Sequence, residues 1–431
     1  MTSRIPGFYK LSIPERIARI REIVGLTDDE ANLLAASFGA LEQGRADRMV
    51  ENVVGVMGVP LGIAVNFLVN GRDYLVPMAI EEPSVIAAAS NAARTMRDSG
   101  GIEARYVSAL MIGQVQLVKL PDPAAARERI LAERDTILAE ANAADPILVG
   151  LGGGARDLEV RLLAETPAGP MLVVHLLVDT KDAMGANAVN TMAERVTPTL
   201  ERITGGQVRL RILSNLADRR VVRASVAIDE AHLGTEEYAG ADVAGRIVEA
   251  YAFAAADPYR AATHNKGIMN GMDAVALATG NDWRALEAGA HAYAARDGRY
   301  RPLSTWTRDG AGHLIGTLET PVVLGLVGGA TRAHPTAQLA VKILGVKTAA
   351  EFGEVVAAVG LAQNFAALRA LSTEGIQRGH MALHARNVAM SAGAVGEQVD
   401  KVAAQMVAER AINIARAREI LAEWTNRRMD K

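Results

Sequence analysis

Apolar residues at helical spacing alternate along this chain with apolar residues at every second position, and each switch of period marks a new element. Ser12-Ile-Pro-Glu15 has the spacing of a capping box and predicts a helix running towards Gly25. Thr27-Asp-Asp-Glu30 repeats the signal and opens a second helix. Residues 49–70 are apolar but punctuated by glycine, which reads as strands and turns. Pro83 opens a further helix over 84–97, whose small residues point to burial against neighbours.

From Gln114 to Ser214 the pattern changes. Residues 115–119 read as a strand and 123–142 as a helix with Ile130, Leu131, Ile137 and Leu138 as its apolar stripe. Strands over 158–164 and 171–179 follow, separated by the turn Thr166-Pro-Ala-Gly-Pro170. Residues 186–203 read as helical despite Pro198. Val208, Leu210 and Ile212 then alternate with Arg209, Arg211 and Leu213, as in a half-buried strand. The order βαββαβ is the ferredoxin-like pattern. Residues 111–216 are therefore expected to form a smaller domain inserted between two parts of a larger one, 1–110 and 217–374.

Beyond the insertion, residues 221–229 read as a strand and 243–256 as an alanine-rich helix. Pro335 opens a helix that stops at Gly345, and Thr348-Ala-Ala-Glu351 caps another, expected to run for about 25 residues up to Gly375. From Gln398 the tail carries a last amphipathic helix with Val402, Met406, Ile412 and Leu421 on one side.

Composition sharpens this picture. Half of the 431 residues are apolar, enough for the cores of two or three domains and incompatible with a disordered chain. Trp, Tyr and Phe number only 3, 8 and 6 against 40 glycines, so the larger domain is expected to be alanine-rich and helical, with small residues letting helices approach closely. Lys and Arg total 46 against 49 Asp and Glu, interleaved, for a net charge of −3. That balance argues against nucleic acid or a membrane surface as partner. The absence of cysteine removes disulfides, thiolate metal sites and a Cys nucleophile, and fits a reducing cytoplasm. The N-terminus lacks the apolar stretch of a secretory signal. The longest apolar run, at 321–330, is short and glycine-rich, so a soluble cytoplasmic protein is expected.

Several clusters could carry chemistry. Gly150-Leu-Gly-Gly-Gly154 is followed by strand-like alternation rather than a helix, so it reads as a turn and not as a Rossmann fingerprint. Asp182-Ala-Met-Gly-Ala-Asn187 does follow an apolar strand and leads into a helix. Its glycine permits close approach, and the helix-start amides suit a pyrophosphate; the plainer reading is a turn with Asp182 as a cap. Lys266, in Thr263-His-Asn-Lys-Gly-Ile-Met-Asn270, lies among small and apolar residues, where an ammonium needs a carboxylate from Asp282 or Glu82. A cation so held stabilises a developing oxyanion. Glu81 and Glu82 precede Pro83-Ser84 at a helix start, an ordinary place for an acid. His380 and His384 have the spacing of a metal pair but no acid completes the set, and His380 between glycines reads better as a mobile proton donor.

At these residues the chain resembles the hydroxymethylglutaryl-CoA (HMG-CoA) reductase family, of the soluble bacterial class II type. The likeness rests on ENVVG at 51–55, EEPS at 81–84, DAMGAN at 182–187 and GGQVRLRILSNLAD at 205–218. DPYRAATHNKGIMNG at 257–271, ATGNDWRA at 278–285 and EGIQRGHMALHARN at 374–387 extend it over essentially the whole chain. The resemblance implies interconversion of HMG-CoA with mevalonate and free coenzyme A by two hydride transfers through mevaldehyde. It implies that Lys266 stabilises the oxyanion, Glu82 donates a proton, Asp282 hydrogen-bonds the lysine, and His380 protonates the departing CoA thiolate. Ser84, Arg260 and Asn270 fall where the family holds the HMG portion, and Arg260 suits a carboxylate clamp. ENVVG lies along CoA in the family, and Lys10 is near a basic position that reaches CoA phosphate.

The resemblance also places the cofactor on the ferredoxin-like domain, with Asp182, Met184, Gly185, Ala186 and Asn187 as its dinucleotide loop. Asp145 matches a position facing the adenosine ribose, where a carboxylate accepts from a 2′-hydroxyl and repels a 2′-phosphate. NAD(H) is the expected cofactor, with NADP(H) as the alternative, and no metal. The family implies a homodimer, in which one subunit's cofactor domain faces the other's lysine. It further implies that 375–431 is a helical flap closing over substrate, hinged at Gly375 and Gly379. The eukaryotic membrane anchor and the phosphorylatable serine after the catalytic histidine are missing. The fold class expected is α+β: a large alanine-rich helical α/β domain, an inserted ferredoxin-like domain and a helical C-terminal flap. Two rivals are a catalytically silent CoA-ester-binding protein and a metal-dependent hydrolase using His380 and His384. The direction of flux, mevalonate synthesis or degradation, is not written in the sequence.

Overall fold

The computed structural model describes residues 2–35, 41–373 and 376–429, with the side chains of all of these except 376–383 and 425–429. Helix Ala349–Ser372 organises the larger part of the molecule. Its residues from Val355 to Phe365 are all buried, so it is apolar on every side, as a central helix must be. It is long and apolar enough to cross a bilayer, with a mean hydropathy of 1.4 over its best window, yet 67% of that window is buried inside the fold. Around it, in one continuous core, pack helices Val85–Asp98, Gly240–Ala256 and Pro258–Ala278. An antiparallel sheet joins the same core, with strand order Glu103–Tyr106, Val221–Asp229, His313–Pro321, Ser304–Arg308. The hairpin Leu61–Val69/Arg72–Ala79 lies beside them and ends just before Glu82.

The second sheet runs Gly154–Leu163, Met171–Asp179, Leu110–Val118, Gln207–Leu213, antiparallel throughout. With its crossing helices this is the ferredoxin-like βαββαβ order, and it has a core of its own around Val115, Val174, Leu176 and Met192. Three expectations are corrected inside it. The single helix expected over 123–142 is two, Pro123–Ala132 and Arg134–Ala143, so Ile130, Ile137 and Leu138 face the core while Leu131 is exposed. The helix over 186–203 breaks at Val196, because Pro198 has no N–H and its ring clashes with a preceding carbonyl; Thr197–Thr204 restarts with proline in its first turn. Strand Gln207–Leu213 is an edge strand whose pairing is irregular between Val115 and Leu117, and of its alternating residues Val208 is buried while Leu210 and Ile212 are exposed.

The capping signals are realised as read. Ser12 and Glu15 form the reciprocal box of helix Ile13–Val24, which ends at Gly25 in the left-handed region. The tail differs from expectation: after helix Ile376–Ser391 come two helices, Glu397–Ala408 and Ile414–Met429, with Arg410 at positive φ between them. The turn lets Val402 and Met406 meet Ala417 and Ile420 in a small separate core.

Candidate active site

Helix Pro258–Ala278 is fixed at its start by Asp257, whose carboxylate accepts from the Arg260 amide, with Pro258 in the first turn. Its inner face is Ala261, His264, Asn265, Ile268 and Met272. Lys266 falls one position past the inner pair 264/265 and therefore points outward. This corrects the apolar setting expected for it: its side chain is 58% exposed. Its ammonium nevertheless has the carboxylate it needs, since Nζ donates to Glu82 Oε2 at 2.8 Å. Asn270, one turn further on the same face, also donates towards Glu82 Oε2, at 3.5 Å.

Glu82 arrives there from the end of strand Arg72–Ala79, ahead of helix Val85–Asp98. The turn between them forces Ser84 to φ 71°, a left-handed conformation that costs a residue with a Cβ about 1–3 kcal/mol. Ser84 Oγ donates to the Pro83 carbonyl. Asp282, expected beside the lysine, is not brought to it. Its Oδ1 accepts from the amides of Arg284 and Ala285 as the cap of helix Trp283–Ala294, and pairs with the Arg284 guanidinium at 3.2 Å. The orphan amides of the helix start hold the carboxylate there. Arg260 is half-buried, and burial pushes its guanidinium pKa below the ordinary value. Among the described residues no carboxylate lies within ion-pair distance of it, so an anionic ligand group would find it available.

A cavity of about 2270 Å³ opens beside Glu82. Glu82, Ser84, Asp282 and Lys10 line it, and so do Asp145, Met184, Gly185, Ala186 and Asn187 from the ferredoxin-like part. The loop is built by strand Met171–Asp179 running into helix Ala186–Arg195. Gly185 holds φ 100°, and a Cβ there would sit 2.3 Å from Thr180 Cγ2, so only glycine fits. The first amides of that helix have no partner within it, which suits a pyrophosphate, and the lining is thus compatible with a dinucleotide. Asp145 Oδ1 accepts from the Leu148 amide as a helix cap. Asp182 does not line the cavity; its Oδ1 accepts from the Ala349 amide at 2.7 Å, tying the loop to the central helix.

The His380 side chain and Gly375 lie outside the described residues, while His384 is exposed on helix Ile376–Ser391. Two residues that the sequence did not single out hold the lysine helix in place. Asn265 donates to the Arg301 carbonyl and accepts from the Leu303 amide. His264 Nε2 is 2.6 Å from Ser304 Oγ, which itself donates to Asn364 Oδ1. Both are flanking positions of the Lys266 motif, where a polar residue on the buried face was a signal open to reading.

A family model described as hydroxymethylglutaryl-coenzyme A reductase matches residues 12–385. A 3-hydroxy-3-methylglutaryl-coenzyme A reductase from Archaeoglobus fulgidus is 57% identical over 421 residues, spanning 98% of this chain and 94% of the relative. The solved structure of the Streptococcus pneumoniae reductase superposes with a TM-score of 0.83 at 41% identity, over 97% of this chain and 99% of its own. A class II reductase structure from the same organism, bound to NADPH in open conformations, gives a TM-score of 0.82 and 44% identity over 85% of this chain and 99% of its own. On this evidence the chain belongs to the hydroxymethylglutaryl-coenzyme A reductase family, in its class II branch.

Proposed function

We propose that this chain interconverts HMG-CoA with mevalonate and coenzyme A, using NAD(H), as a homodimer. The observation that carries the reading is the Lys266–Glu82 pair at 2.8 Å, with Asn270 at 3.5 Å from the same carboxylate oxygen. Lys266 presents its ammonium to the acyl oxygen as negative charge develops there, and Glu82 delivers the proton that oxygen requires. Asn270, already on Glu82 Oε2, keeps that carboxyl oriented. Arg260 clamps the free carboxylate of the HMG portion, Ser84 adds a hydroxyl at the turn, and Asp282 tunes the lysine in the assembled enzyme. His380 protonates the thiolate of departing CoA. The nicotinamide, when bound, supplies or accepts the hydride.

The Streptococcus pneumoniae relative bound to NADPH favours a second reading, in which this chain is a biosynthetic NADP(H)-using reductase. Steady-state rates in both directions with each cofactor decide between the two readings. In the same assay Lys266→Ala is expected to lower kcat by about 10²–10³-fold or more while the KM for HMG-CoA changes little. Parental turnover in that variant would overturn the mechanism, whereas absence of turnover in the parent itself would leave a CoA-ester-binding protein as the better reading.

A further inference from the structure

We propose that Arg220 is the positioning residue of the dinucleotide loop, and that its buried charge strengthens the hold of that loop on an anionic cofactor. Arg220 is only 3% exposed. Its Nη1 donates to Thr180 Oγ1 at 3.0 Å, to the Ala183 carbonyl at 3.2 Å and to the Met184 carbonyl at 3.1 Å. Its Nη2 donates to the Leu324 carbonyl at 2.8 Å. Every one of these acceptors is neutral, and among the described residues no carboxylate is within ion-pair distance. A buried guanidinium is costly unless its donors are satisfied, and here the satisfaction comes from the backbone of the loop itself.

The consequence for the loop is geometric. Across a trans peptide the carbonyl of one residue and the N–H of the next point in opposite directions. Turning the Met184 carbonyl towards Arg220 therefore turns the Gly185 N–H away from it. The loop is also held from its other side. The Leu326 amide donates to the Asp182 carbonyl at 2.8 Å, and Ala183 bridges to Val327. A Cβ on Gly325 would sit 2.3 Å from the Met184 nitrogen, so that contact tolerates nothing larger than glycine. Asp182 Oδ1 meanwhile holds the first amide of the central helix. Arg220 thus stands where the inserted sheet rejoins the larger part, with one side chain reaching the loop on one side of the junction and residue 324 on the other. Unlike the surrounding contacts, it also brings a positive charge to within hydrogen-bond distance of a residue that lines the cavity. In a low-dielectric interior that charge favours phosphate binding more than a solvated one would.

This inference rests on reading 182–187 as the cofactor loop, and the experiment separates the two. Amide hydrogen exchange over residues 183–187 is measured without ligand, and NADH and NADPH are titrated directly, for the parent, Arg220→Gln and Arg220→Lys. In Arg220→Gln, exchange at the loop is expected to rise about tenfold or more, and the preferred dinucleotide to bind about tenfold more weakly, the usual weight of charge-assisted hydrogen bonds. The KM for HMG-CoA should stay within about twofold of the parent. Arg220→Lys keeps the charge and loses the fork, and should recover most of the affinity; a purely structural brace would give no such rescue. Unchanged exchange and affinity in folded Arg220→Gln would overturn the proposal. Faster exchange with parental affinity for both dinucleotides would instead overturn the reading of the loop as the cofactor site. Should Arg220→Gln fail to fold, Thr180→Val removes one acceptor and must move both quantities in the same direction, or the proposal falls.

Discussion

At the scale of single residues, Asp145 is a helix cap whose proposed second role, reading the cofactor ribose, can be tested apart from the first. Its Oδ1 caps helix Pro146–Gly150, and the residue also lines the cavity together with residues 184–187 of the proposed dinucleotide loop. Replacing it by alanine would remove cap and charge at once and leave the cause of any change ambiguous. Asparagine is nearly as good a cap as aspartate and carries no charge. Asp145→Asn is therefore expected to leave thermal stability close to the parent while shifting the ratio of kcat/KM for NAD(H) over NADP(H) towards NADP(H), by about tenfold or more for the loss of one repulsive charge. An unchanged ratio would mean that this carboxylate does not read the 2′ position of the ribose.

At the scale of elements, the decisive junction is where helix Pro258–Ala278 meets strand Ser304–Arg308 and helix Ala349–Ser372. His264 sits in it, 2% exposed, with Nδ1 unpartnered among the described residues. Burial, reinforced by the nearby Arg260 charge, pushes its pKa down to about 3. The folded state therefore keeps this imidazole neutral while the unfolded chain protonates it near 6.5, so the unfolded state binds more protons between those values and stability falls as pH drops. From pH 7 to pH 5 that amounts to about 2 kcal/mol from this residue. Denaturant titrations should show His264→Asn less stable than the parent at pH 7, with the gap narrowing by about that amount at pH 5; a constant gap would mean the histidine titrates normally. The same junction marks what the sequence could and could not reveal. Caps, periods and turn residues are local, so Ser12–Glu15, Pro335–Gly345 and the βαββαβ order were all legible. Lys266 and Glu82 were legible because they sit in unmistakable motifs. Pro198 is a local signal for the break at Val196, whereas the breaks at Glu133 and Arg410, the outward face of Leu131, and the bracing roles of His264, Asn265 and Arg220 depend on what packs opposite. No local pattern encodes those partners.

At the scale of the whole molecule, the chain holds Lys266, the proposed oxyanion stabiliser, at its surface. Lys266 is more than half exposed, Asp282 is engaged with its own helix, and the cavity lined by the proposed dinucleotide loop reaches Glu82 but is not lined by Lys266. Large apolar side chains are exposed as well: Val54 fully, Met57 at 89% and, in the first turn of the lysine helix itself, Tyr259 at 86%. Apolar surface of this kind is what a second copy would cover, and a copy that also covered Lys266 would desolvate its ammonium and strengthen its hold on an oxyanion. A two-fold dimer that sets one subunit's loop against the other's lysine has a numerical consequence. Lys266→Ala and Gly185→Val, the second placing a Cβ against Thr180, should each be inactive alone. After subunit exchange in a 1:1 mixture, half of the dimers are mixed, and in each of these one site carries both defects while the other carries neither. About a quarter of parental activity should then return. If lysine and loop served the same site from one chain, every site in the mixture would be defective and none would return.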